Sequence, residues 1–200
     1  MCVMASSSSQ RRKKIVDAIP VGTTFSRGWD FAGSNDEGDW TCGMKIGKMP
    51  DGRFIISGMA RFQEKTDAVE VALVNTASLD GRFVRIRMPQ DPGQAGKAQA
   101  ARYTRLLAGY TVVALPVSGD KSVRAEGYAS QVNAGNVVML RASWNDVIID
   151  EMQSFPNGKH DDTIDAGADA FNDLTGGATG ADALLAHLKK QYESQQREAA

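Results

Sequence analysis

The segment KHDDTIDAGADAF crowds Asp161, Asp162, Asp165 and Asp169 into one short stretch of an otherwise charge-balanced chain. Ile164, Gly167, Ala168, Phe171 and Leu174 fall at helical spacing and mark the buried face of a helix that begins at the first two acids. Carboxylates at a helix N-terminus meet free N–H groups and a favourable dipole. One reading is therefore capping, with Asp162 as N-cap of a DxxD arrangement. The other is cation binding, which needs more carboxylates from elsewhere. Asp165 and Asp169, a turn or two further along, read as solvated helix face or as support behind such a site.

Two further aspartates stand where their chemistry is costly or exposed. Asp30 lies in the middle of the strand-like stretch FSRGWDFAG, with Trp29 and Phe31 on one face and Gly28, Asp30 and Ala32 on the other. Aspartate is depleted in strands, and a carboxylate in a central strand is expensive unless paired or bound to a cation. Small neighbours leave room for one. A strand-end aspartate accepting backbone hydrogen bonds is the structural alternative. Asp91, in MPQDPGQAG, sits at the carboxyl end of another strand, the edge at which open α/β sheets place ligands. A plain DPG turn is its alternative. Converging carboxylates without a His or Cys cluster make an all-oxygen site suited to Mg²⁺ or Mn²⁺ rather than zinc. Two such ions about 3.5–4 Å apart can activate a water and stabilise the leaving oxygen of a phosphodiester.

The elements that must position these residues follow from the pattern. FSRGWDFAG, DWTCGMKIGKM and RFIISGMARFQ are strands joined by SNDEG and PDG, so they form an antiparallel meander. Helices and strands then alternate: KTDAVEVALVNTASLDG helical, FVRIRMPQ extended, AGKAQAARYTRLLAG helical, YTVVALPVSG a buried strand. KSVRAEGYASQVNAG is helical, NVVMLRA a short strand, WNDVIIDEMQSFP a helix, and DDTIDAGADAFNDL the last helix of the core. Helical crossovers imply parallel pairing among the later strands. The expected fold is α/β, a mixed sheet of three antiparallel and then parallel strands with helices on both faces. In it the first and fourth strands are neighbours, which brings Asp30 towards Asp91, and the final helix can set Asp161 and Asp162 beside them.

The 200 residues suit one domain, with 1–14 a polar arm or linker, 15–174 the core, and 175–200 a Gly-rich linker and amphipathic helix bearing Leu184, Leu185, Leu188 and Tyr192. A net charge of −1 advertises neither nucleic acid nor an anionic membrane. Cys2 and Cys42 alone make no disulfide framework or zinc site, which favours a reducing compartment. No apolar run reaches membrane-spanning length, and no secretory signal is present, so a cytosolic protein is expected.

Four stretches together, GWDFAGSNDEGDWT, MPQDPGQAGK, VSGDKSVRAEGYASQV and DEMQSFPNGKHDDTIDAGADAF, resemble the RNase H-like nuclease domain of tailed-phage large terminases. The resemblance spans roughly residues 25–173. It implies a metal-dependent DNA endonuclease that cuts concatemeric genomes during packaging, using two Mg²⁺ or Mn²⁺ ions held by Asp30, Asp91 and Asp162. Asp161 is an additional or alternative ligand, and Asp36 stands where some family members carry a further acid; a turn aspartate is the alternative at Asp36. Lys121 and Arg124, opening a helix, and Lys97 would contact DNA phosphates, with Arg85, Arg87, Arg102 and Arg105 able to widen a basic rim; exposed helix charge is the alternative. His160 is either a proton shuttle or an ordinary loop histidine, and Trp40 and Trp144 read as packing residues.

The implied partners are double-stranded DNA, a packaging ATPase domain, the small terminase subunit and the portal, in the host cytoplasm and away from membranes. No GxxxxGK[ST] occurs, so no ATPase is expected within these residues. Two rival readings stay open: another RNase H-like nuclease of junction-resolvase or integrase type, and a non-catalytic assembly module.

Overall fold

The computed structural model describes residues 14–32, 40–117, 121–155, 157–158 and 160–176, with backbone alone at 121–122. Asp36, the polar arm up to residue 13 and the amphipathic C-terminal stripe lie outside the described residues.

A seven-stranded sheet organises the chain, in the order β1-β7-β4-β3-β2-β5-β6. Its strands are β1 Ile15–Val16, β2 Thr24–Asp30, β3 Thr41–Lys48, β4 Phe54–Phe62, β5 Arg85–Gln90, β6 Val112–Pro116 and β7 Val137–Leu140. β2, β3 and β4 form the antiparallel meander, and β5, β6, β7 and β1 add in parallel. Only β3 runs against the rest, so every other strand ends at one common edge. β1 was not read from the sequence, because a two-residue pairing to Met139 and Leu140 carries no alternation. YTVVALPVSG is an edge strand and only half-buried, not the buried strand its apolar run suggests. Pro116, which cannot donate to a ladder, fits that edge.

Helices α1 Thr66–Asp80 and α2 Gly93–Leu106 cover one face, and α3 Lys121–Ala134, α4 Asn145–Ser154 and α5 Asp162–Thr175 cover the other. The alternation of β5 assigns the faces. Ile86 and Met88 join Val69, Leu73, Ala77, Tyr103 and Leu107 beneath α1 and α2, whereas Arg85 turns to Asp173 of α5. The α1 residues recur four apart, the spacing that sets one helical stripe on a sheet. On the opposite face Met44 and Ile46 of β3, Ile56 of β4 and Met139 of β7 meet Tyr128, Ile148, Ile164 and Phe171.

α5 is the element that positions the site, and it lies so close to β2 that only glycine fits beneath it. A Cβ built at Gly28 would stand 2.1 Å from the Ala166 carbonyl oxygen and 2.7 Å from the Ala170 nitrogen, both helix backbone. The space that the small residues around Asp30 leave is thus filled at Gly28 by the helix, not by an ion. Gly28→Ala must push α5 off the sheet and is expected to lose about 1–3 kcal/mol. Urea unfolding reads this as a lowered midpoint at unchanged slope. An unchanged midpoint would show that the helix does not need this contact.

Candidate active site

Strand register assembles the floor of the site. Asp30 of β2 pairs with Cys42 of β3, and Cys42 pairs with Arg61 of β4. The three residues form a transverse row with neighbours about 4.8 Å apart. Asp30 is the last residue of its strand, not a mid-strand residue as its flanking sequence suggests, and lies on the edge where all strands but β3 end. Cys42 is fully buried between its row neighbours. Burial pushes its thiol well above the ordinary range, and the fields of Glu151, Asp162 and Asp30 push it further, against a smaller opposing effect of Arg61. Burial and the nearby carboxylates thus keep the Cys42 thiol neutral.

The N-terminus of α5 forms the roof. Its N-cap is Asp161, whose side chain makes no capping hydrogen bond. The cap comes instead from α4: Glu151 Oε2 accepts hydrogen bonds from the Thr163 N–H at 3.1 Å and the Thr163 hydroxyl at 2.5 Å. Asp162 is the first helical residue, not the N-cap, so its carboxylate is not spent on capping. Its Oδ2 is buried and without a hydrogen bond, 3.9 Å from both an Arg61 nitrogen and His160 Nδ1. Burial raises the Asp162 pKa, Glu151 and Asp161 add to it, and Arg61 and His160 oppose it. A carboxylate so placed gains from a nearby cation.

Glu151 and Arg61 are residues that sequence reasoning missed. They pair at 2.9 Å, with the Glu151 side chain only 8% exposed, and the Arg61 guanidinium stacks over Trp40 at 4.1 Å from the ring centroid. Trp40 is thereby a platform for a cation as well as a packing residue. Nothing in DVIIDEMQS separates Glu151 from Asp150, which is exposed on the same helix.

Asp91 follows the last residue of β5, the parallel neighbour of β2, and is exposed at the same edge. The first turn of α2 closes on it, since a Cβ at Gly96 would stand 2.2 Å from the Asp91 carbonyl oxygen. Among the described residues no group of three or more His, Cys, Asp or Glu side chains stands gathered tightly enough to hold a metal ion. Asp30 and Asp162 are close enough for their charges to act on Cys42, Asp161 adjoins Asp162, and Asp91 stands on the adjoining strand edge.

Asp165 and Asp169 are not solvated. Asp165 is buried, and Asp169 has a raised pKa through burial, opposed by Arg87 and Arg124 and reinforced by Asp165 and Asp173. Asp173 accepts a 2.8 Å hydrogen bond from Arg85. These acids recur at four-residue steps along α5 and face arginines from β5 and α3, so Arg85, Arg87 and Arg124 act as counter-ions to α5. Arg102 pairs with Glu70 across α1 and α2. Lys97 is exposed on α2, and the side chain of Lys121 lies outside the described residues.

This sheet order, an antiparallel meander extended by parallel strands with helices on both faces, is that of an RNase H-like fold. The family model described as a terminase RNase H-like domain matches residues 27–174, and the chain belongs to that family. Solved structures agree. The human cytomegalovirus terminase nuclease domain, manganese-soaked and inhibitor-bound, is 15% identical with a TM-score of 0.59, the match covering 81% of this chain and 91% of that one. The large terminase nuclease of thermophilic phage G20c with bound zinc is 21% identical with a TM-score of 0.58, covering 78% and 85%. Its magnesium-bound form is 18% identical at the same TM-score and coverage. No curated protein sequence matches the chain. No described helix is long and apolar enough to cross a membrane.

Proposed function

We propose that the chain is a divalent-metal-dependent DNA endonuclease of a viral genome-packaging terminase, cutting concatemeric double-stranded DNA. The observation that carries the reading is the burial of Asp162 Oδ2, without a hydrogen bond, above the Asp30–Cys42 pair. A hard cation would satisfy that oxygen, and a donor set of carboxylates at a strand edge fits Mg²⁺ or Mn²⁺. The relatives solved with manganese, zinc and magnesium support the same assignment.

Asp30, Asp91 and Asp162 would hold the ions, with Asp161 and Asp36 as further ligands. When bound, two ions supply an activated water and charge stabilisation for the leaving oxygen. The rest is done by the chain. α5 fixes Asp162 through its seat on Gly28 and its cap on Glu151. Lys97 and Lys121, at or near the N-termini of helices that follow β5 and β6, would meet phosphates at the same edge, and Arg124, whose charge also faces Asp169 of α5, would add to them. Packaging ATPase, small terminase subunit and portal are the partners this reading implies, in the cytoplasm of the host.

Supercoiled plasmid incubated with Mn²⁺, Mg²⁺ or EDTA tests it. Nicking and linearisation in the metal arms alone, lost in Asp30→Asn, are the expected result. Cleavage that persists in EDTA or in the variant would refute the assignment.

A further inference from the structure

Arg61 stands at one end of the row that carries Asp30 at the other, and it is held from three sides. Glu151 pairs with it at 2.9 Å, Trp40 lies under its guanidinium at 4.1 Å, and its side chain is only 14% exposed. Glu151 cannot follow a departing arginine, because its other oxygen is anchored by the backbone and hydroxyl of Thr163. The guanidinium therefore remains beside Asp162, 3.9 Å from Oδ2.

We propose that Arg61 is a positioning residue that sets the affinity of the Asp162 carboxylate for a divalent cation, holding that carboxylate in place and competing with the ion for it. The proposal rests on the reading of this acid cluster as a metal site. A dication against Asp162 Oδ2 would lie within a few ångströms of a fixed positive charge, and solvent screens such a partly buried pair poorly. Arg61 thus weakens ion binding at Asp162 while it stabilises the fold by neutralising Glu151 and Asp162. An ion that meets this resident charge needs other anionic partners, and phosphate oxygens of DNA are of the right kind.

The test is a calorimetric Mn²⁺ titration of wild type, Arg61→Gln, Arg61→Lys and Asp162→Asn, beside thermal melting with and without Mn²⁺. Arg61→Gln is expected to bind Mn²⁺ on the order of tenfold more tightly, to melt lower without the ion and to gain more on its addition. Arg61→Lys keeps the charge and should bind like wild type, and Asp162→Asn should bind far more weakly than either. A purely structural arginine would lower the melting temperature of Arg61→Gln without tightening Mn²⁺ binding. Binding by wild type with no gain in Arg61→Gln overturns the role of Arg61 alone. Absence of binding in both proteins overturns the metal site itself and this proposal with it. Should Arg61→Gln fail to fold, Trp40→Leu loosens the guanidinium without deleting it; a smaller gain in affinity is expected, and none would refute the proposal.

Discussion

Asp162→Asn lowers metal-dependent DNA cleavage by at least about 100-fold, and the variant melts no lower than wild type. Both halves follow from the same geometry. The Asp162 charge is costly in the folded protein, because burial and the neighbouring Glu151 and Asp161 disfavour it more than Arg61 and His160 favour it. An amide removes that repulsion while fitting the same space, so the fold keeps or gains stability. What is lost is an anionic oxygen for a cation. Plasmid cleavage with Mn²⁺, read beside a melting curve, separates the two. A variant that loses cleavage and also melts well below wild type would show that Asp162 is a structural residue.

Asp80→Ala is expected to cost about 3–5 kcal/mol, the penalty for stranding a buried charge, with a fall in melting temperature of roughly ten degrees. Asp80 closes α1 and accepts hydrogen bonds from Arg27 Nε at 2.7 Å, Arg27 Nη2 at 2.9 Å and Lys45 Nζ at 2.8 Å. Arg27 and Asp80 are 6% and 5% exposed, and a further Arg27 nitrogen donates to the Gly43 carbonyl. The cluster ties β2, β3 and α1 into one unit. Arg27→Met in the Asp80→Ala background should recover much of the loss, since an apolar side chain replaces an orphaned guanidinium. Burial alone would raise the Asp80 pKa, but the hydrogen bonds and charges of Arg27 and Lys45 bring it below the ordinary value. A carboxyl depressed on folding contributes stability that is fully present above its unfolded pKa of about 4. That contribution is lost as pH falls through the folded value. Acid titration of stability should therefore be steeper in wild type than in Asp80→Asn. A cost below about 1 kcal/mol, in the range of exposed pairs, would mean that the cluster is solvated.

The candidate acids stood out in the sequence because each broke a local rule. Asp30 is a charge in a strand-forming stretch, Asp91 follows another strand, and Asp161 and Asp162 crowd a helix start. The strands and helices that carry them were legible from period and turn residues, and only β1 was too short to register. The partners of these acids were not legible. Glu151 and Arg61 look like ordinary surface charges, and only the packing of α4 and β4 against α5 buries them. The same holds for Asp165, Asp169 and Asp173. Helical periodicity counts a charge as outward-facing, but α5 is enclosed by β2, β5 and α3, whose arginines neutralise its polar side.

α5 is the last described element of the chain, yet it rests on Gly28 in one of the first strands and carries Asp162, the acid proposed to act with Asp30. A ribosome-bound chain that has not yet reached Asp162 can form its meander but lacks one of the acids proposed to hold metal. Under the proposed function, translation order would delay activity until nearly the whole core has been synthesised. The long separation between Asp30 and Asp162 also slows their meeting, because distant pairs close late in folding. On that reading, cleavage competence and completion of the core would be the same event in the life of the chain.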